Sequence, residues 1–348
     1  MDPVDVVGLT RTLVDIDSTT GREAEAGAFL ARYLSARGYR VEEHPVDGAR
    51  FNVWATRGVP DVVLTTHFDC VPPFFESREQ DGAIYGRGSC DAKGILAAQV
   101  AAADRLAADG IDRVGLLFVV GEERGSDGAS AANERAPGNR FLVNGEPTGN
   151  RLGTSSRGAY RVRLHASGRA AHSAYPELGD SAIEKLVDAL VRLRGLDLPD
   201  DPTAGRTSYS VGLVSGGVAP NVVPPSASAE VVFRTVGPSR AVRDRLRALE
   251  PLVTIDPVLD VPFVALMAVP GFETAAFRYT TDIPVLTRWG TPLLMGPGSI
   301  HLAHTDAEHV RVDELHEAVA LYARLVRTLL GDAFRPDRRA GSEPVSRT

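Results

Sequence analysis

The chain has 348 residues, 43% hydrophobic and 24% charged, an ordinary globular composition and long enough for about two domains. A formal charge of −7 without any basic block argues against nucleic-acid binding, and no apolar run approaches the roughly 20 residues of a membrane span. Cys70 and Cys90 are too few for a disulfide framework, so a reducing, cytoplasmic setting is expected.

The first residues, MDPVDVVGLTRTLVDID, lack the basic start and apolar centre of a signal peptide. Residues 22–37 carry Ala, Phe and Leu at helical spacing, and Gly38 marks a stop. β-type runs follow at YRVEEHPV and RFNVWATRG, then the apolar VVLTTH of 62–67. A helical period returns at 92–108, ahead of the strand-like VGLLFVV and FLVNG. Apolar strands alternating with helices predict an α/β domain, a doubly wound and mostly parallel sheet covered on both faces. From about 157 the texture changes. AYRVRLHAS alternates like a half-exposed strand, and the order of runs that follows is βαββαβ. This predicts an inserted α+β, ferredoxin-like domain at 157–262. TPLLMGPG and ELHEAVALYARLVRTLL then return to the first domain, which is discontinuous at 1–156 and 263–333. The polar residues 334–348 are expected to form a flexible tail.

Polar residues gather where predicted strands end, the edge at which open α/β sheets place ligands. His67 opens HFDCVP, where it serves either as a metal ligand oriented by Asp69 or as a polar loop residue. Asp91 lies in YGRGSCDAKG, as a ligand or a helix cap. That glycine loop also invites a phosphate-binding reading, but Lys93 precedes Gly94 and no hydroxyl follows, unlike a P-loop. Glu122 and Glu123 end the run VGLLFVV, and Glu146 follows FLV. GPGSIHLAHTDAEH adds His301, His304 and His309. Together these histidines and carboxylates suit two divalent ions held by N and O donors, zinc before cobalt or manganese. Such a pair serves amide hydrolysis and still needs a general base that is not a ligand. Adjacent glutamates supply one acid for each task.

HFDCVP, GRGSCDAKG, GEE, GEP, AAHSAYPELG, GGVAPNVVP and AHTDAE, in this order, resemble the zinc-dependent aminoacyl hydrolases and exopeptidases. That family includes acetylornithine deacetylase, succinyl-diaminopimelate desuccinylase, aminoacylase and carboxypeptidase G, and the likeness spans about 9–330. It implies that Asp91 bridges two metals, with His67 and Glu146 on one and Glu123 and His304 on the other. Glu122 would be the general base and Asp69 the partner of His67. His304 is preferred over His301 because of its spacing to Glu308. The three ligand carboxylates and a bridging hydroxide would balance two dications. The resemblance also makes the insert a lid and homodimerisation domain whose His172 donates to the oxyanion, typically across the dimer. Asn221 and Arg234 would hold the substrate carboxylate, with Arg157 and Tyr175 as further substrate-binding positions; a planar arginine fork suits that task. Cys70 and Cys90 are read as small buried fillers.

The expected reaction is hydrolysis of an N-acylated amino acid, with N-acetylornithine, and hence arginine biosynthesis, the best single assignment. Alternatives within the class are an amino-carrier-protein hydrolase releasing lysine or ornithine, a desuccinylase and a dipeptidase. Outside it stand a catalytically silent metal-binding protein and a nucleotide-binding enzyme.

Overall fold

The computed structural model describes residues 2–331, so the expected tail at 334–348 lies outside the described residues. Among the described residues two compact units emerge, one of residues 2–152 with 285–331 and one of Gly153–Pro284. In chain order the first unit opens with α1 (Val6–Val14), α2 (Ala24–Ala36), β1 (Arg40–Asp47), β2 (Arg50–Thr56) and β3 (Val62–His67). A short hairpin, β4 (Arg78–Gln80) and β5 (Ala83–Tyr85), precedes α3 (Lys93–Ala108), β6 (Val114–Val119), α4 (Asp127–Asn133) and β7 (Phe141–Asn144). The second unit holds β8 (Leu152–Ser156), β9 (Gly158–Ser167), α5 (Ala182–Arg194), β10 (Asp200–Asp201), β11 (Gly205–Arg206) and β12 (Ser208–Gly216). It continues with β13 (Ser226–Thr235), α6 (Ser239–Leu246), β14 (Thr254–Val261), β15 (Val264–Ala265) and β16 (Thr274–Phe277). The chain then returns through β17 (Thr291–Leu294), β18 (His309–Arg311) and α7 (Val312–Leu330).

The first unit is built on a six-stranded sheet of order β1-β2-β6-β3-β7-β17. β3, β6, β7 and β17 run parallel, while β1 and β2 add an antiparallel hairpin at one side. Every residue of β3 and β6 is buried, as expected for parallel strands covered on both faces. Helix α3 is also buried around most of its circumference, and its Ala- and Leu-rich sequence lets it pack closely against α1 and α7. Trp54 of β2 meets Trp289 edge-on at 5.4 Å, tying the returning segment to the sheet.

The second unit has a four-stranded antiparallel sheet of order β12-β13-β9-β14 with α5 and α6. Tyr160, Val162, Leu164 and Ala166 alternate along β9 into a core with Leu186, Ala189 and Leu193 of α5 and Val242 of α6. Ser181 caps α5 by accepting from the Glu184 N–H. The boundaries at 157 and 262 need correction. β8 pairs with β15 in a separate three-stranded sheet, Ser156 opposite Val264, so residues 153–156 and 263–284 also belong to this unit. Among the described residues no helix is long and apolar enough to cross a membrane.

Candidate metal centre

Parallel strands bring their carboxyl ends side by side. His67 at the end of β3 pairs with Val119 of β6, and Thr65 pairs with Asn144 of β7. His67, the turn carrying Glu122 and Glu123, and the turn carrying Glu146 therefore leave the sheet along one edge. Glu122–Arg124 is a single 3-10 turn flanked by Gly121 and Gly125 at φ 77° and 118°. Glycine is the residue that enters this left-handed region without a Cβ penalty.

Asp69 is fully buried and organises two of these segments. Its Oδ1 accepts from the Glu122 N–H at 3.1 Å, and its Oδ2 from the Glu123 N–H at 3.2 Å and the Thr20 hydroxyl at 2.8 Å. Oδ1 also stands 3.4 Å from Nδ1 of His67. The closest acceptor to that nitrogen is the Asp69 main-chain carbonyl at 3.1 Å, so Asp69 orients the imidazole chiefly through its backbone while its carboxylate anchors the backbone of the glutamate pair.

The other ring nitrogen of His67, Nε2, lies 3.1 Å from Oδ1 of Asp91. Nε2 of His304 lies 2.8 Å from Oε1 of Glu123 and 3.4 Å from Oδ2 of Asp91. Asp91 therefore presents one oxygen to each histidine, as a carboxylate shared between two ions does. Donor atoms of His67, Asp91 and Glu123 all fall within 4.8 Å of one another. Glu146 is buried nearby and adds its charge to the field at His67.

The electrostatics call for positive charge. Among the described residues, Asp91 and Glu123 form ion pairs with histidines alone. Burial opposes the charge on His67, yet hydrogen bonds to Asp69 and Asp91, with the fields of Asp91 and Glu146, raise its pKa well above the ordinary value. Hydrogen bonds to Asp91 and Glu123 raise His304 to about 10. Burial works against the Asp91 carboxylate, but both histidines hold it below the usual range. N and O donors converging on a shared carboxylate, buried at His67, Asp91 and Glu146 and more open at Glu123 and His304, with a demand for cations, fit two divalent ions.

A family model described as peptidase family M20/M25/M40 matches residues 63–328. The chain belongs to that family. A probable carboxypeptidase from Aspergillus clavatus is 39% identical over 371 residues, covering 92% of this chain and 81% of the relative. Among solved structures, aminopeptidase PepT from Bacillus cereus superposes with a TM-score of 0.80 at 21% identity, covering 94% of this chain and 98% of the other. A tripeptidase from Staphylococcus aureus gives 0.78 at 22% identity, with 92% and 98% covered. The fold is thus that of the M20 peptidases, and this chain is an amide-bond hydrolase.

Several sequence alternatives look different in this M20 peptidase. Helix α3 has Ala92 at its N-cap and no side-chain cap, so Asp91 does not cap it. The phosphate reading of GRGSCDAKG fails because Lys93 is buried and donates to the Ile16 carbonyl at 2.8 Å. Burial pushes the Cys70 thiol up to about 11 and raises Cys90 too, which leaves neither as a ready nucleophile. His301 is exposed, and its N–H donates to the Ser299 hydroxyl.

Within the second unit, the His172 and Asn221 loops are joined by a bridge between His172 and Val222 and by the Ser173 N–H donating to the Asn221 carbonyl at 3.0 Å. His172, Tyr175 and Asn221 are exposed there. Arg234 is partly buried on β13. Arg157 is almost fully buried and donates to the Ala204 carbonyl at 2.7 Å, a partner its sequence position does not suggest. Sequence reasoning also missed the buried pair Arg87–Glu308, whose members stand 221 positions apart with no local pattern linking them.

Proposed function

We propose that this M20 peptidase is a dinuclear metallo-exopeptidase that releases a C-terminal amino acid from short peptides and N-acylated amino acids. The observation that carries it is Asp91 offering its two carboxylate oxygens to His67 and His304. His67 and Glu146 would hold one ion, Glu123 and His304 the other, and Asp91 both, with zinc preferred over cobalt or manganese. Bound there, such a pair polarises an amide carbonyl and acidifies water. Glu122 takes the water's proton and passes it to the leaving amine. Its adjacency to Glu123 and the shared anchor of both N–H groups on Asp69 support this division of labour. His172 serves the oxyanion, and Asn221, Arg234, Tyr175 and Arg157 serve the substrate, the arginines for its carboxylate.

The carboxypeptidase name of the Aspergillus clavatus relative supports a free C-terminal carboxylate on the substrate. Within this class N-acetylornithine is the first compound to test, because the run GPGSI precedes the histidine segment. The second unit is proposed as lid and dimerisation domain. Val187 and Val191 on α5 and Leu213, Val214 and Val218 on and just after the edge strand β12 are each more than half exposed, an apolar surface that a second copy would cover. Two buried, unbridged cysteines support a reducing compartment.

The test is a panel of N-acetylornithine, N-succinyl-diaminopimelate, lysine-loaded carrier protein, and dipeptides with free or amidated C-termini, assayed with and without a chelator. Hydrolysis is expected only with metal and only with the free carboxylate. Two tightly bound ions without turnover of any substrate would point instead to a silent metal-binding protein.

A further inference from the structure

Glu308 and Arg87 are both almost entirely buried. Oε1 of Glu308 accepts three backbone N–H groups in one loop: Gly88 at 2.9 Å, Asp91 at 3.1 Å and Cys90 at 3.3 Å. Oε2 accepts from Nη1 of Arg87 at 2.5 Å. Arg87 is itself held, its Nε donating to the Pro73 carbonyl at 3.2 Å and Nη1 to the Thr305 carbonyl at 3.3 Å. The Glu308 carbonyl accepts from the Gly86 N–H at 3.2 Å. Successive N–H groups pointing into one concavity form an anion nest, and here the chain's own carboxylate fills it.

The location gives this clamp its meaning. Asp91 lies between β5 and α3, and His304 between β17 and β18, so no shared strand or helix sets their separation. Glu308 binds the Asp91 N–H directly, while Arg87 grips the carbonyl of Thr305, next to His304. Both connections run through the same carboxylate–guanidinium pair. A buried ion pair often contributes little to stability against an apolar replacement, so holding the fold together is a poor explanation for one placed here. We infer that Glu308, backed by Arg87, is a positioning residue that fixes the spacing between Asp91 and His304 and so tunes how tightly the second ion is held. This rests on the dinuclear reading above.

The test compares full-length wild type with Glu308→Gln, which keeps an acceptor oxygen but loses the charge, and with Arg87→Lys, which keeps a cation but loses the fork. Metal is titrated against a chromogenic chelator, and the metal-free proteins are unfolded in urea. We expect two ions in wild type. Glu308→Gln should weaken the second ion by about 10–100-fold and the first ion much less, with kcat falling more than KM changes; because it leaves Arg87 buried without its counter-charge, the metal-free urea midpoint should fall as well. Arg87→Lys should show a smaller loss of the same kind, and it carries the test should Glu308→Gln fail to fold. Unchanged affinity for both ions, or an equal loss at both ions, would overturn the positioning role. Fewer than two ions in wild type would overturn the dinuclear reading itself.

Discussion

Asp69 and Glu308 use one device twice. Each is a buried carboxylate that accepts backbone N–H groups of a loop carrying acidic residues of the centre. The opposed charges of Glu122 and Glu123 are thereby managed through their backbone, which leaves the two side chains to different tasks. Replacing Glu122 by Gln should leave metal content intact and cut kcat by about 10²–10⁴-fold, the usual contribution of a general base; wild-type turnover with full metal would remove the base assignment. A second titratable residue lies away from the centre. His44 is buried in β1, and burial, followed by nearby Arg135, lowers its pKa against the opposing pull of Glu42. The unfolded chain therefore takes up a proton below about pH 6.5 that the folded chain resists, so stability is lost as pH falls from there. His44→Gln should flatten that part of the profile, read as urea midpoints between pH 7 and 5. His67, Glu122, Glu123 and Glu146 were legible because each follows an apolar strand, whereas Asp91 and His304 lie in loops six and ten residues past theirs and stood out through the motifs of the family resemblance. The N–H acceptors were not, since accepting from a backbone 53 or 217 positions away leaves no trace in local spacing.

At the scale of elements, strands β3, β6 and β7 could be read directly because parallel strands buried on both faces are apolar throughout. β8, β15 and β16, at two to five residues each, are too short for any period to show, which is why the insert was drawn too small. Packing between elements is close where the centre begins. A Cβ at Gly145, just past β7, would lie 2.4 Å from Cγ2 of Ile95 and 2.6 Å from Nε2 of Gln99 on α3. Gly145→Ala must displace these two side chains, or the helix that carries them, beside the strand end that carries Glu146. We expect a destabilisation of about 1–3 kcal/mol, as for other overpacked cores, measured by urea unfolding. A neutral result would mean that α3 shifts without cost.

At the scale of the molecule, the exposed stripe on α5 and the apolar edge strand β12 make a specific expectation. Wild type should sediment as a dimer, and the double substitution Val187→Glu with Val191→Glu should sediment as a monomer with its circular dichroism unchanged. A wild-type monomer would remove the dimer proposal. The sequence order of elements revealed the insertion, because the ferredoxin-like run interrupts an α/β alternation that later resumes. The interruption also has a consequence in time. Residues 153–284 leave the ribosome as one continuous unit, but the surrounding unit then still lacks β17, α7, His304 and Glu308. At roughly 5–20 residues per second, the strand that closes the sheet edge and the Glu308 contact to Asp91 arrive seconds after the other proposed ligands have been synthesised. The nascent chain would thus carry an acidic, incompletely braced sheet edge until residues 291–311 emerge, and hydrolytic competence would have to wait for them.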